Sequence, residues 1–272
     1  MGCARSSAVR FLDTEEDAQE KTKASTSVLQ KIDQSRTTYR LNLRESALTE
    51  LPQAALDART ANLKIVILSF NSLQRLPDAI RTWQGVRSLS VSHNLLTELP
   101  SAIGSLVNLE QLEAYHNYLT SLPQLSGLVH LKVLTLHSNR LGPVLPDVFH
   151  GMKSLSEVDL SRNEIQELSP SLSSVTCLVR LDLYSNHLQE LPGSLGGLSN
   201  LVHLDVSSNQ LKALPPEFFQ GTLLLAELWL KGNPIDRAAL LNTPGFLAFT
   251  DRQQRSTKDG GPRVALKICG LW

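Results

Sequence analysis

The sequence is poor in cysteine, with three residues in 272, at positions 3, 177 and 269. Three scattered thiols cannot form the disulfide framework of a small secreted domain, so we expect a reducing, intracellular environment. The formal net charge is zero, which excludes a general electrostatic attraction to nucleic acid. No apolar run approaches the roughly 18 residues of a membrane-spanning helix, and the N-terminus lacks the apolar core of a signal peptide.

The sequence also lacks the short motifs that carry enzyme chemistry. It has no G-x-S-x-G nucleophile turn, no glycine-rich phosphate loop and no paired-acid motif. His93, His116 and His137 recur in one region, but their spacing is not that of a usual metal site. We therefore expect no catalytic residues, no metal and no cofactor, and metal analysis of the purified protein would test this.

One frame of residues recurs along most of the chain. Around Asn94, apolar residues lie eight, five and three positions before the asparagine and two and five after it, and a proline follows. Successive copies are 22 to 25 residues apart. The equivalent positions are Ser46 in a degenerate first copy, then Asn71, Asn94, Asn117, Asn139, Asn163, Asn186, Asn209 and Asn233. Nine copies in near-constant register predict a repeat array.

These copies follow L-x-x-L-x-L-x-x-N-x-L, and the chain resembles the leucine-rich repeat proteins. The alternating L-x-L segment predicts a short strand with one buried face in each copy. Strands that run the same way should stack into a parallel sheet, with neighbours about 4.8 Å apart. The predicted fold class is α/β, a leucine-rich-repeat solenoid: a curved right-handed superhelix with a parallel concave sheet and short caps at both ends.

Two further features of the copies predict local structure. Each asparagine should be buried, with its amide bonded to backbone groups of adjacent turns, and the Leu-Pro pairs after it predict a bent outer face. Two copies depart from this, with a delayed Leu145-Pro146 and with Leu168-Ser169-Pro170. Their extra residues should bulge on the outer face and leave the strands undisturbed.

The frame divides the chain into five segments. They are a tether at 1–26, a cap helix at 27–38, the nine repeats at 39–235, a C-terminal cap at 236–251 and a basic flexible tail at 252–272. The cap helix should begin near Ser25 or Ser27 and turn Val28, Leu29 and Ile32 towards the first repeat. A cap is expected because the end repeat would otherwise expose its core.

The first residues fit an acylation signal. Gly2 and Ser6 complete the pattern M-G-x-x-x-[ST] for N-myristoylation. One myristoyl chain binds a membrane only marginally, and a second acyl chain on Cys3 would make the anchor stable. We expect acylation at Gly2 and Cys3, and a cytoplasmic protein held peripherally on the cytoplasmic face of a membrane. The alternative is an unmodified N-terminal segment.

The exposed strand positions lie six, four, two and one residues before each asparagine and should share the concave face. Among them, Asp159, Asp182 and Asp205 occupy equivalent positions on successive strands, where like charges repel unless a cationic partner compensates. The predicted protein-binding residues are Tyr115, His116, His137, Asp159, Arg180, Asp182, Tyr184, His203, Asp205 and Trp229. The alternative is a merely solvated sheet face. A second apolar candidate, Ile65 with Ile67 and Phe70, has packing under the N-terminal cap as its alternative.

The 23-residue copies with Leu-Pro resemble intracellular repeat proteins that bind Ras or scaffold phosphatases, which implies a non-catalytic scaffold or adaptor. The sequence therefore predicts a monomeric, membrane-tethered adaptor in signalling, whose concave face binds a protein with a basic patch. The alternative is a soluble regulatory subunit of a phosphatase or small GTPase without a lipid anchor.

Overall fold

The computed structural model describes residues 15–57 and 60–251, and side chains are described from residue 26 onwards. Nine three-residue strands form one parallel sheet in chain order. They are β1 (Arg40–Asn42), β2 (Ile65–Ile67), β3 (Ser88–Ser90), β4 (Gln111–Glu113), β5 (Val133–Thr135), β6 (Glu157–Asp159), β7 (Arg180–Asp182), β8 (His203–Asp205) and β9 (Glu227–Trp229). The solenoid with an open parallel sheet is confirmed.

Leucine side chains from every copy form one continuous core behind the sheet. The central residue of each strand is buried, as is the apolar residue two positions later, for example Leu41 and Leu43 at 0% exposure. Because successive side chains of a strand point to opposite faces, the residues on either side lie on the concave face. Each buried leucine contributes about 1.5–3 kcal/mol of burial free energy, so the core holds the strands in a fixed register.

The asparagine after each strand joins neighbouring copies through its side chain. The Oδ1 atom of Asn94 accepts a hydrogen bond from the Leu73 backbone N–H at 3.0 Å. Its Nδ2 atom donates to the carbonyls of Leu68 and Val91, both at 3.0 Å. The other asparagines of the frame, from Asn71 to Asn233, repeat this pattern. The predicted structural role of the asparagine is confirmed.

The outer face consists of short turns rather than long helices. Single turns of 3-10 helix lie at Gln53–Leu56, Asp78–Thr82, Ser101–Ser105, Pro170–Ser174 and Gly193–Gly197, and one α-helical turn, α2, at Phe218–Gly221. In the two irregular copies, Val144 forms an isolated parallel bridge with Glu167. Strands β5 and β6 nevertheless pair in full register. The extra residues are therefore accommodated on the outer face, as predicted.

A longer helix than predicted covers the first repeat. Helix α1 spans Glu15–Thr38, so it begins inside the segment assigned to the tether, and Ser25 and Ser27 lie within it rather than at its start. Val28 and Ile32 are buried, but Leu29 is 51% exposed. The prediction that Leu29 faces the repeat is wrong, because one helix turn cannot direct adjacent residues to the same side. No helix of the described segments is long and apolar enough to cross a membrane.

The last repeat is closed by aromatic side chains. Helix α3 spans Arg237–Leu241. The Asp236 carboxylate caps it by accepting a hydrogen bond from the Ala239 N–H at 2.6 Å. Phe246 and Phe249 are buried against Phe219, with ring centroids 5.4 and 5.1 Å away. The basic tail at 252–272, like Gly2 and Cys3, lies outside the described residues.

Candidate protein-binding face

Strand register brings the predicted binding residues onto one face. Glu113 of β4 pairs with Thr135, and the row continues through Asp159, Asp182 and Asp205. Trp229 of β9 lies next to Asp205 and completes it. A second row six positions before the asparagines includes Arg180 and His203, which are also neighbours in the sheet. Side chains of six consecutive strands, β4 to β9, therefore form one continuous surface.

The residue just before each asparagine adopts a left-handed backbone conformation. The φ angles of Phe70, His93 and His116 are 59°, 53° and 51°. Equivalent values recur at Ser138, Arg162, Ser185 and Ser208. Non-glycine residues adopt this region only where the surrounding structure enforces it. Here the asparagine bonds on either side hold the turn, so side chains at this position repeat at the spacing of the copies.

Rings at these turns stack into a column along the solenoid. The Phe70 and His93 rings are stacked, with centroids 4.1 Å apart and planes at 15°, and His93 stacks on His116 at 4.5 Å. The Arg44 guanidinium lies over the other side of Phe70, 4.1 Å from the ring centroid. This column of planar groups, Arg44 to His116, is called the ring column below.

A second stack lies beside the ring column. Tyr115 stacks on His137 with centroids 4.5 Å apart and planes at 13°. The two stacks meet edge to face, with His93 5.3 Å from Tyr115 and His116 5.2 Å from His137. Each such aromatic contact contributes about 0.5–1.5 kcal/mol beyond its buried area. The predicted residues Tyr115, His116 and His137 are thus packed into one rigid cluster.

Two imidazoles of this cluster, those of His93 and His137, have lowered pKa values. Burial lowers the pKa of His93, and the charges that His116, His137 and Arg44 can carry lower it further. Burial also lowers the pKa of His137, against a smaller opposing effect of the Asp159 carboxylate. Since an unperturbed imidazole has a pKa of about 6.5, both rings are uncharged at neutral pH. His93 and His137 therefore present flat, uncharged rings.

Each aspartate of the row uses one oxygen to fix the strand end. The Oδ1 atoms of Asp159, Asp182 and Asp205 accept backbone N–H groups two residues further on, at 2.9, 3.0 and 2.8 Å. The same bond forms at Asn42, where Arg44 donates at 3.1 Å. These side chains therefore have a local structural role, which explains why carboxylates persist at adjacent strand positions.

The aspartate row is only partly compensated by nearby positive charge. Burial is the main cause of a raised pKa at Asp182, and the negative charges of Asp159 and Asp205 raise it further. The Arg180 guanidinium is 3.9 Å from the Asp182 carboxylate, too far for a hydrogen bond. Arg162 instead lies over the Tyr184 ring, 5.6 Å from its centroid. A cation brought to this row would therefore be favoured.

The remaining predicted residues form a polar end to the face. His203 Nδ1 lies 2.6 Å from a Glu227 carboxylate oxygen on the next strand, and only 13% of the His203 side chain is exposed. Trp229 is half-buried beside Asp205. Tyr184 follows β7 and Trp229 lies in β9, three and five strands beyond β4, where the ring column ends. The predicted set is therefore one surface with two separate clusters.

The predicted contact residues do not include three residues that the structure adds to this surface: Arg44, Phe70 and His93. Phe70 had been grouped with Ile65 and Ile67, but it stacks with His93 rather than packing under the cap. Ile65 and Ile67 are half-buried on the strand face. The sequence contains a pattern that identifies Phe70 and His93 as neighbours of His116, because these three residues occupy the same position of three successive copies.

The described part of the surface shows no arrangement of metal ligands. Across residues 15–57 and 60–251, no group of three or more His, Cys, Asp or Glu side chains could hold a metal ion. The His93–His116 arrangement is a face-to-face stack, which does not direct ring nitrogens to a common point. The geometry supports recognition of another molecule through shape and charge.

Comparison with known proteins agrees with the geometry. Among solved structures, a leucine-rich repeat protein of Leptospira interrogans matches with a TM-score of 0.59 and 28% identity, over 77% of this chain and 58% of that chain. A chain of the Toll–Spatzle complex of Drosophila matches with a TM-score of 0.66 and 27% identity, over 72% and 27% respectively. An internalin of Listeria monocytogenes has a TM-score of 0.65 at 22% identity, over 75% and 58%, which supports the fold alone.

This chain spans only part of these neighbours, between about a quarter and three fifths of their lengths. No curated protein matches the chain in sequence. The model of the Leucine rich repeat family matches residues 61–119, 129–188 and 176–235, more than half of the chain. Together with the nine-stranded sheet and its asparagine bonds, this match shows that the chain belongs to the leucine-rich repeat family.

Proposed function

We propose that the chain is a non-catalytic interaction scaffold whose concave face binds a protein partner. The observation that carries the proposal is the continuous strand face across β4 to β9, where a row of carboxylates ends at Trp229 and aromatic and imidazole side chains lie beside it. Aromatic anchors within a polar surround are the usual anatomy of a binding surface. The proposed contact residues are Tyr115, His116, His137, Asp159, Arg180, Asp182, Tyr184, His203, Asp205 and Trp229.

The charge of the face supports a partner with a basic patch. Asp159, Asp182 and Asp205 lie on adjacent strands, and the pKa of Asp182 is raised by burial and by its two neighbours. Lysine or arginine side chains of a partner would supply the missing positive charge and steer its approach. One structural neighbour is a chain of the Toll–Spatzle complex. We expect this chain to act as a monomer that binds one partner.

The test is a double variant at the centre of the acidic row. Asp182→Arg with Tyr184→Ala reverses one charge and removes one ring, and we expect it to abolish capture of the partner. The matched control is Asp147→Arg with Tyr118→Ala, both exposed residues outside the strand face. Retained binding in the first variant, with both proteins folded by circular dichroism, would rule this site out.

The proposal includes a membrane tether. Gly2 and Cys3 are proposed to carry the acyl chains that hold the scaffold at the cytoplasmic face of a membrane, where it acts in signalling. The pattern of the first six residues supports this, and two acyl chains make an anchor stable. Gly2→Ala should move the protein from the membrane fraction to the soluble fraction. Unchanged fractionation would contradict the tether and leave the binding face unaffected.

A second candidate is a soluble regulatory subunit of a phosphatase or a small GTPase. Resemblance favours it, because the 23-residue Leu-Pro copies are similar to those of Ras-binding and phosphatase-scaffolding repeat proteins. The order of cap helix, repeats and basic tail is also similar to that of leucine-rich repeat-containing protein 57. Acyl labelling separates the two candidates, because incorporation of label at Gly2 supports the tethered scaffold and its absence supports the soluble subunit.

A further inference from the structure

The strand face has an uncharged half. In the two copies that end at Asn71 and Asn94, none of the four face positions carries a charged side chain. These positions hold Ile65, Ile67, Ser69, Phe70, Ser88, Ser90, Ser92 and His93. Ile65 and Ile67 are half-buried, and Phe70 is 38% exposed. Apolar side chains of a partner can be buried over Ile65 and Ile67 without covering a charge at these eight positions, while the Arg44 guanidinium lies over the Phe70 ring, 4.1 Å from its centroid.

The other half is acidic. In the three copies that end at Asn163, Asn186 and Asn209, the same positions carry four carboxylates and two arginines, a net charge of −2 with histidine neutral. They are Glu157, Asp159, Asp182 and Asp205 against Arg162 and Arg180. The face therefore changes from uncharged to acidic along the solenoid, and Tyr115, His116 and His137 lie between the two halves.

An unsatisfied polar group lies within the acidic half. Ser207 follows Asp205 by two residues on the same face, and its N–H donates to the Asp205 carboxylate at 2.8 Å. Its hydroxyl has no hydrogen-bond partner within the described part of the chain, although the residue is only 6% exposed. Buried polar groups in native proteins are nearly always paired. This serine is the residue whose N–H contacts the Asp205 carboxylate that a cation would approach.

The first copy disfavours a basic group at the apolar end. Arg40 and Arg44 occupy face positions there and are exposed, with Glu45 paired to Arg44 at 3.1 Å. A lysine or arginine of a partner would be repelled near β1 and attracted near β6 to β8. The two ends of the face therefore differ in charge. A partner segment with basic residues at only one end would bind in one preferred direction along the face.

The distance between the halves sets the length of the segment that fits. Strands β2 and β8 are six strand spacings apart, about 29 Å at about 4.8 Å each. An extended chain advances about 3.3 Å per residue, so about nine residues span this distance. Such a segment crosses the strands, whose backbone groups are already paired within the sheet. Its contacts must therefore be made by side chains.

Building on the proposed function, we infer that the concave face binds an extended, two-part segment of a partner protein. The segment has apolar or aromatic side chains over Ile67 and Phe70 and lysine or arginine side chains over Asp182 and Asp205. About nine residues separate its two ends. Uniformly basic or uniformly apolar segments satisfy only one half of the face and bind more weakly.

The test uses fluorescent synthetic peptides and the full chain, with binding followed by anisotropy. The probes are two-part peptides of about ten residues, with the apolar end first or last, and all-basic and all-apolar peptides of equal length. We expect one two-part peptide to bind at least about tenfold more tightly than any other probe, a difference of about 1.4 kcal/mol. Added salt should weaken it, because the acidic half is exposed to screening.

Single substitutions in each half of the face test which end of the peptide contacts that half. Phe70→Ser should weaken the two-part peptide at least about tenfold and leave the all-basic peptide unchanged. Asp182→Arg should weaken it similarly and favour a peptide with glutamate in place of the basic residues. The control Asp78→Arg alters an exposed carboxylate on the outer face and should change nothing. Urea midpoints of all variants verify folding.

Three results would overturn the inference: equal binding of the all-basic and two-part peptides, no effect of Phe70→Ser, or no binding of any peptide. These outcomes differ from failure of the proposed function. If no peptide binds but partner capture still depends on Asp182 and Tyr184, the face binds a folded surface and only the two-part segment is wrong. If capture is also independent of these residues, both proposals fail.

Discussion

Replacement of one asparagine in the middle of the array tests the central structural argument. In Asn94→Ala the Leu73 N–H loses its acceptor. Leu73 is fully buried, so this unpaired donor costs about 1–3 kcal/mol. The Leu68 and Val91 carbonyls each lose one donor but keep another from Asn71 or Asn117, and their contribution is small. With the cavity left by the side chain, we expect a total loss of about 2–4 kcal/mol.

The assay is urea denaturation followed by circular dichroism, with the midpoint as the readout because repeat arrays need not unfold in two states. The control Asn108→Ala removes an exposed amide that donates to the Gln84 carbonyl at 2.8 Å, and it should cost less than about 0.5 kcal/mol. Equal midpoint shifts for Asn94→Ala and Asn108→Ala would refute the reasoning.

A second substitution at the same position separates the hydrogen bonds from packing. Asn94→Asp keeps the acceptor for Leu73 but directs an oxygen at the carbonyls that Asn94 Nδ2 contacts. It also buries a charge, which raises the pKa of the introduced carboxyl. Because the raised pKa belongs to the folded state, stability is lost as the pH rises. Asn94→Asp should therefore be less stable than Asn94→Ala at pH 7 and recover partly near pH 5.

Three further predictions follow from the face and the packing behind it. Asp182→Asn should increase the free energy of unfolding at pH 7 by about 0.2–1 kcal/mol per like-charge contact removed, because the pKa of Asp182 is raised in the folded state. The gain should appear as a higher urea midpoint. Folding lowers the pKa of His93 and of His137, so the unfolded chain binds protons more readily and stability should fall as the pH drops from 7.5 to 5.5. Gly127→Ala should destabilise the array by about 1–3 kcal/mol, because an added Cβ would collide with the Gly104 carbonyl oxygen.

Each of these predictions has a matched control. Asp182→Ala removes the same charge but also the acceptor of the Tyr184 N–H, so it should not reproduce the gain of Asp182→Asn. His187→Gln alters an exposed histidine outside the ring column and should retain the pH dependence that a His93→Gln, His137→Gln double variant loses. Gly197→Ala would meet its nearest atom at 3.6 Å and should be tolerated. If a control shows the effect predicted for its variant and the variant does not, the corresponding argument is contradicted.

The repeat frame predicted the strands, their register and the core, because these depend on short-range patterns. Alternation of Leu41 with polar neighbours defines one strand and its buried face. A constant period then places the next strand beside it, so the row from Asp159 to Asp205 could be read from spacing alone. The start of α1 was missed because residues before 27 carry no clear apolar period, and helix boundaries depend on local capping rather than on periodicity.

Only the tertiary structure decided how the face is organised within those rows. The stacking of Phe70 on His93 requires a left-handed backbone at non-glycine residues, a conformation that composition does not predict. The aspartates were expected to repel one another, yet each uses an oxygen to accept the backbone N–H that closes its own turn. Side-chain rotamers and the bonds available at a turn depend on both neighbouring copies at once. Sequence alone therefore determined which residues share the face, and packing between copies determined what each of them contacts.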